Sequence, residues 1–279
     1  MIAEIDSKIV KRLREWEEKD GPLSRPLEFY RRLLDIQSRA QSQVSVLTPD
    51  TNKVAVDSRI EQRLPLLAFD DLAIDWSLLQ NTFDEVMALF AGYSEVANQV
   101  PGNMKDLGCS LARLKKVTRD WFERRPLTSE MATSSGNEAA LELVIRTALR
   151  PFLIAHREAL LGLVNQEQWR CGYCPICGGS PDFAFLDKER GARWLLCSRC
   201  DAEWLFRRLE CPYCATQDQD ALAYFTDDRG LYRLYVCERC RRYLKAVDLR
   251  HADCEVLLPL ERFLTLDIDI QAQRDGYTP

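Results

Sequence analysis

The chain has 279 residues, 46% of them hydrophobic and 29% charged, enough for one large domain or two ordinary ones, each with its own core. Its formal net charge of -5 argues against a broad nucleic-acid or anionic-membrane surface. No apolar run approaches the ~18 residues that a membrane helix needs. Met1 to Asp20 mixes Lys, Arg, Glu and Asp, so no secretory leader is read there and a cytoplasmic location is expected.

In chain order, the first half repeats apolar residues at three- and four-residue steps. Ile5, Ile9, Leu13 and Trp16 form one stripe, and Phe29, Leu33, Leu34 and Ile36 a second ahead of a polar run ending near Gln43. Trp76 to Phe90 carries Leu79, Phe83, Val86, Met87 and Phe90 on one face, and Leu107 to Phe122 carries Leu111, Leu114, Val117 and Trp121. Asn137 to Leu163 is the longest such segment, and Pro151 inside it is expected to kink or split the helix. Breaks fall at Gly21-Pro22, Thr48-Pro49, Pro101-Gly102 and Ser134-Ser135-Gly136. Together these stripes predict a helical bundle up to about residue 168.

From residue 170 the pattern changes to short alternating runs. Asp182 to Leu186 predicts a strand, Glu189-Arg190-Gly191 a turn, and Arg193 to Leu196 a second strand running into Cys197. The plan recurs: Ala221 to Thr226 as a strand, Asp227 to Gly230 as a turn, and Leu231 to Val236 as a strand running into Cys237. Val256 to Ile270 is apolar with few breakers and reads as a helix or an extended segment packing back on the bundle.

Eight of the eleven cysteines form four Cys-x-x-Cys pairs: Cys174 with Cys177, Cys197 with Cys200, Cys211 with Cys214, and Cys237 with Cys240. The first pair of each half has Pro after its leading Cys, and the second has Arg before its closing Cys. The offsets are 37 residues between first pairs and 40 between second pairs, which marks a duplicated unit. Two intervening residues let a tight turn aim both sulfurs at one point, and two such turns joined by a hairpin set four thiolates around one metal. Cys174, Cys177, Cys197 and Cys200 are expected as one site, and Cys211, Cys214, Cys237 and Cys240 as the other. Gly178 suits a position needing positive φ, and Asp201 tolerates one. Zinc is the default for an all-cysteine site in a reducing compartment. Tetrahedral thiolate also suits iron, and the ligand set does not choose between them. A module of about 35 residues buries too little apolar surface to fold unaided, so a purely structural metal is the plainest role.

Outside the pairs, Cys109 reads as a small core residue, Cys171 as a bystander beside the first site, and Cys254 as a cysteine without a partner. His156 and His251 read as surface or satisfied histidines. No nucleophile elbow, phosphate loop or dinucleotide fingerprint is present, no catalytic residue is assigned, and the chain is not expected to be an enzyme. Residues 170 to 245 hold 13 Lys or Arg and 11 Asp or Glu, a weak footprint for phosphate binding. Trp194, Trp204, Tyr213 and Tyr243 read as ribbon core sooner than as base-stacking platforms.

The stretch from Trp169 to Tyr277 resembles the formate dehydrogenase accessory protein family, FdhE. The resemblance is carried by Cys174-Pro175-Ile176-Cys177-Gly178, by Arg193 to Cys200 with Glu203-Trp204 behind it, by Cys211-Pro212-Tyr213-Cys214, by Cys237-Glu238-Arg239-Cys240 and by Tyr243-Leu244-Lys245. It implies a cytoplasmic maturation factor that binds the catalytic subunit of a respiratory formate dehydrogenase before export. It also implies rubredoxin-like iron held by the eight paired cysteines. The expected fold is an α+β multidomain chain, an N-terminal helical bundle followed by two tandem rubredoxin-like or zinc-ribbon modules. Its expected divisions are 1–168, 169–209, 210–250 and a C-terminal segment 251–279. A zinc-ribbon nucleic-acid or transcription adaptor and a rubredoxin-like electron carrier are the alternative roles.

Overall fold

Apolar stripes at helical spacing become buried helix faces in the structure, a computed structural model that describes residues 2–45, 53–93, 110–127 and 135–279. Helix α1 spans Ile2–Asp20 and buries Ile9 and Leu13. Helix α2, Arg25–Gln41, starts with a proline in its first turn, where the missing N–H costs nothing, and buries Phe29, Leu33, Leu34 and Ile36. Helix α3, Lys53–Glu61, is marked by no periodicity in the sequence. Helix α4, Trp76–Ala91, is capped by the Asp75 carboxylate, which accepts from the N–H groups of Ser77 and Leu78. Helix α5 spans Leu111–Phe122 and α6 Ser135–Leu160. The start of the stripe predicted from Leu107, together with Cys109, lies outside the described residues.

Helix α6 runs unbroken through Pro151, so the split allowed for in the sequence does not occur. Pro151 has no N–H to give the carbonyl four residues earlier, that of Thr147. The buried Gln37 of α2 supplies the donor instead, its Nε2 lying 2.8 Å from Thr147 O. Gln37 Oε1 accepts in turn from Arg150, whose guanidinium pairs with the buried Asp6. A polar network thereby satisfies the group that the proline orphans.

The chain forms two compact units, one of Met1–Pro49 with Ala68–His156 and the other of Asp50–Leu67 with Arg157–Pro279. The first is helical, with α2 against α1 and α4, and α4 against α5. Its core includes Phe29 edge-on to Phe90 at 5.2 Å.

The second unit is built on a six-stranded sheet. Its strands are β1 (Pro181–Leu186), β2 (Arg193–Cys197), β3 (Glu203–Phe206), β4 (Leu222–Thr226), β5 (Tyr232–Cys237) and β6 (Arg242–Asp248). Their order in the sheet is β3-β2-β1-β6-β5-β4. Each module is therefore a three-stranded antiparallel meander, one strand more than the alternation predicts. The first and third strands of a meander run the same way. A second module oriented like the first thus lays its third strand parallel to the first strand of its neighbour, and β6 pairs with β1 in this manner from Phe183↔Lys245 to Leu186↔Asp248.

The apolar tail forms two short helices, α7 (Leu258–Leu264) and α8 (Leu266–Arg274). Both are tied to β6 by the buried Lys245. Its Nζ donates to the carbonyls of Arg262 and Thr265, each at 3.1 Å, and to the Asp269 carboxylate at 2.5 Å. Among the described residues no helix is long and apolar enough to cross a membrane.

Candidate metal centres

In each meander the turn before the first strand and the turn after the second meet at one end of the sheet. Cys174 and Cys177 precede β1, Cys197 closes β2, and Cys200 follows it. Cys211 and Cys214 precede β4, Cys237 closes β5, and Cys240 follows it. The structure brings Cys174, Cys177, Cys197 and Cys200 into one group and Cys211, Cys214, Cys237 and Cys240 into another, with all Sγ atoms of a group within 4.8 Å of one another. In the first group Cys174 and Cys200 are 3.6 Å apart, and Cys177 is 3.5 Å from both Cys197 and Cys200. In the second, Cys211–Cys240 and Cys214–Cys237 are each 3.7 Å. A tetrahedron with a metal–sulfur distance of about 2.3 Å has an edge of about 3.8 Å. A disulfide would need about 2.05 Å. The spacing in both groups thus fits a four-thiolate metal ion.

The four turns share one construction. The residue after the second cysteine donates its N–H to the carbonyl of the first: Gly178 to Cys174 at 3.0 Å, Asp201 to Cys197 at 3.3 Å, Ala215 to Cys211 at 2.9 Å and Arg241 to Cys237 at 2.8 Å. That residue has positive φ each time, at 70°, 53°, 55° and 55° respectively. Gly178 and Asp201 are the residue types such a position favours, whereas Ala215 and Arg241 adopt it against a β-carbon cost of about 1 kcal/mol. Backbone amides point at sulfur as well, with Ile176 N–H on Cys174 Sγ and Arg199 N–H on Cys197 Sγ, both at 3.3 Å.

Burial pushes the thiols of Cys174 and Cys200 well up. Burial acts on Cys177 too, but hydrogen bonds from Cys174, Cys197 and Cys200, with the charge of Arg199, outweigh it and hold that thiol low. In the second group burial pushes Cys211 up. For Cys214 the Thr216 amide and the neighbouring thiols outweigh burial and draw the thiol down. A cation bound among the four sulfurs of either group would displace the thiol protons.

Several supports were not apparent from the cysteine spacing. Leu66 and Leu67 donate their N–H groups to the carbonyls of Pro175 and Ile176 at 2.8 and 2.9 Å, covering the backbone of the first turn. Arg262 of α7 donates to Cys197 O at 2.8 Å, to Asp182 at 3.0 Å and to Asp201 at 2.5 Å. Gly172 lies so near the second site that a β-carbon on it would stand 1.9 Å from Pro212 O. Tyr213, inside the third pair, shares its hydroxyl between the carbonyls of Pro181 and Tyr243 at 3.2 and 3.1 Å. Beside Cys211 and Cys237 a cavity of about 40 Å³ is lined by Arg193, Arg208 and Arg242. Arg193 is buried and donates to Glu210 O at 2.5 Å, and burial lowers its pKa to about 10. A divalent ion with four thiolates carries a net charge of -2, which these arginines are placed to offset.

The two groups differ in access. All four cysteines of the first are buried, while Cys214 and Cys240 of the second are partly exposed. Cys171 and Cys254 belong to neither group. Cys171 contributes its carbonyl to Trp204 Nε1 at 2.9 Å. Trp204 and Tyr243 are buried, and Trp194 stacks on Phe185 at 6.0 Å. His156 is buried with Nδ1 2.8 Å from Phe152 O, and His251 is exposed with Nε2 3.9 Å from the Asp248 carboxylate.

A family model described as FdhE, central domain, matches residues 173–208, the stretch that holds the first group. A protein FdhE homolog of Aquifex aeolicus is 26% identical over 267 residues, 94% of this chain and 88% of its own length. The fold is similar to the crystal structure of the FdhE protein from Pseudomonas aeruginosa, with a TM-score of 0.60 at 24% identity over 99% of this chain and 93% of that one. A protein FdhE homolog of Shewanella oneidensis is 32% identical over 93% of this chain and 82% of its own length. With 32% identity over 93% of this chain and 82% of that relative, the chain belongs to the FdhE family.

Proposed function

We propose that this chain is a non-enzymatic maturation factor for formate dehydrogenase that binds the catalytic subunit of the respiratory enzyme in the cytoplasm before export. Cys174, Cys177, Cys197 and Cys200 hold one metal ion and Cys211, Cys214, Cys237 and Cys240 a second, with iron as the rubredoxin-like occupant and zinc as the alternative. The observation that carries the reading is the pair of four-thiol groups set at tetrahedral spacing, 3.5 to 3.7 Å along the measured edges, in a chain of this family. A bound ion supplies folding free energy at either site, and iron would add a one-electron couple. The chain's own part is to aim the eight sulfurs, to donate backbone N–H groups to them, and to place Arg199 and Arg193 near their charge.

The test is anaerobic co-purification of the chain with an immature formate dehydrogenase catalytic subunit, with metal analysis of the same sample. Retention of the subunit and two metal ions per chain are expected. No retention under these conditions overturns the partner. A colourless, zinc-only protein purified without oxygen overturns iron and leaves the metals a structural role.

A further inference from the structure

We propose that the outer edge of β4 is a docking edge that takes an extended segment of the partner polypeptide as a seventh, parallel strand. The occupant is a segment with apolar or β-branched residues at its centre and basic residues at its ends. This rests on the reading that the partner is a protein client, and it assigns the surface that client uses.

The argument starts from the duplication. In both modules an aspartate closes the first strand and takes the same place in the turn. Asp187 donates its N–H to Ala192 O at 3.0 Å, and Asp227 donates its own to Tyr232 O at 3.2 Å. Residues 40 apart are therefore equivalent along β1 and β4. These bonds also fix which way the backbone faces. In an antiparallel pair alternate residues direct both polar groups at the partner. The odd-numbered residues of β1 face β2, so Ala184 and Leu186 present N–H and C=O to the other side, where they meet β6. In β4 the Asp227 bond and the bond from Glu238 N–H to Ala221 O at 2.9 Å set the same phase. The backbone groups of Tyr224 and Thr226 consequently point away from β5, while the N–H of Leu222 is taken by Gln219 O. Tyr224 and Thr226 stand where Ala184 and Leu186 stand in the first module, and β4 is the end of the sheet. The duplicated unit thus carries one parallel acceptor edge per module, filled on β1 and, among the described residues, open on β4.

The opposite end of the sheet is capped at one outward donor. The outward N–H of Leu205 in β3 donates to the side chain of Gln166 at 3.1 Å. Open edges are ordinarily blunted by lysine, proline or a covering segment. No lysine or proline occurs in β4, and its aromatic residues lie in the open, with Tyr224 55% and Phe225 60% exposed. Such an edge is suited to strand addition, in which main-chain bonds give affinity and alternate side chains give selectivity.

Charge chooses the occupant. Residues 217–229 carry four aspartates, Asp218, Asp220, Asp227 and Asp228, against Arg229 alone, and all are exposed. A second copy of the chain paired edge to edge through β4 would bring Asp218 and Asp220 of one against Asp227 and Asp228 of the other. A second copy adding through β3 would meet the Gln166 cap. A segment with basic ends is complementary at both ends of β4.

The experiment uses the full metal-loaded chain and the formate dehydrogenase catalytic subunit as probe, comparing wild type with Thr226→Pro and Tyr224→Pro. Proline at these outward positions removes an edge donor without removing a bond to β5, and metal content and circular dichroism verify the fold. Asp220→Asn with Asp228→Asn tests the charge independently. At least tenfold weaker binding of the proline variants is expected, with slowed amide exchange at Tyr224 and Thr226 in the wild-type complex and weaker salt dependence in the asparagine variant. Wild-type binding that the proline variants keep, with exchange at those amides unchanged, overturns the docking edge and leaves the proposed function standing. No binding by the wild type overturns both. Self-association abolished by Thr226→Pro overturns the client as occupant in favour of a second copy.

Discussion

Gly179 faces Cys197 so closely that a β-carbon on residue 179 would stand 2.8 Å from the Cys197 sulfur. The same atom would meet Arg199 Cδ at 2.9 Å, so the residue has no free direction in which to grow. Gly179→Val is expected to lower the metal content from two ions per chain to about one, leaving the second group loaded. Overpacking of this kind costs about 1–3 kcal/mol before the loss of metal is added. Metal analysis and the melting temperature of the variant check the prediction.

Gly172 makes the corresponding demand on the second group, through backbone and not sulfur. A β-carbon 1.9 Å from Pro212 O forces the two segments apart, and neither is the free end of a flexible side chain. Gly172→Ala should destabilise the second metal site by about 1–3 kcal/mol while sparing the first. Chelator titration that resolves the two ions would show the selective loss, and equal loss from both would refute it.

Access predicts an order of metal release. Cys214 and Cys240 are partly exposed, whereas the four cysteines of the first group are buried. A chelator added to the loaded chain is expected to remove the second ion first. A thiol-alkylating reagent present throughout should label Cys214 and Cys240 ahead of Cys174, Cys177, Cys197 and Cys200. Peptide mapping at successive times reads the order directly.

Asp248 gives a pH dependence of definite sign. It is fully buried, and burial alone would raise its pKa, but hydrogen bonds from the Arg250 side chain and backbone and from Arg233 outweigh this and lower it to about 2. A carboxyl depressed in the folded state stabilises above its unfolded pKa of about 3.9, and that contribution is lost as pH falls through the folded value. The stability gap between wild type and Asp248→Asn should be full at pH 7, begin to close below about pH 4 and be nearly gone near pH 2. Denaturant unfolding across that range measures the gap.

Much of the second unit was legible because cysteine spacing is a geometric code. Four pairs at two-residue spacing, offset by 37 and 40 residues, already mark out both groups along the chain. The third strand of each meander was not legible, for a physical reason. β6 buries Lys245 and Asp248, and a buried charge hides apolar alternation unless its partners are known. Those partners, Asp269 for Lys245 and Arg233 for Asp248, lie elsewhere in the sequence. Positive φ at Ala215 and Arg241 was hidden likewise, since the cage imposes it on residue types that do not announce it. In the helical unit the stripes gave the helices, but the tolerance of Pro151 depends on Gln37, which lies 110 residues from the Thr147 carbonyl it satisfies.

The parallel seam between β1 and β6 makes one sheet of the two modules. In the present chain Ala184 and Leu186 have their backbone partners in β6, supplied some sixty residues downstream, and Tyr213 bridges Pro181 and Tyr243 across the same boundary. A ribosome that has released only the first module has yet to make the strand that pairs with β1. Synthesis must reach Asp248 before β6 can cover that flank, so the first four thiols and the strand that completes their sheet are far apart in the order of translation.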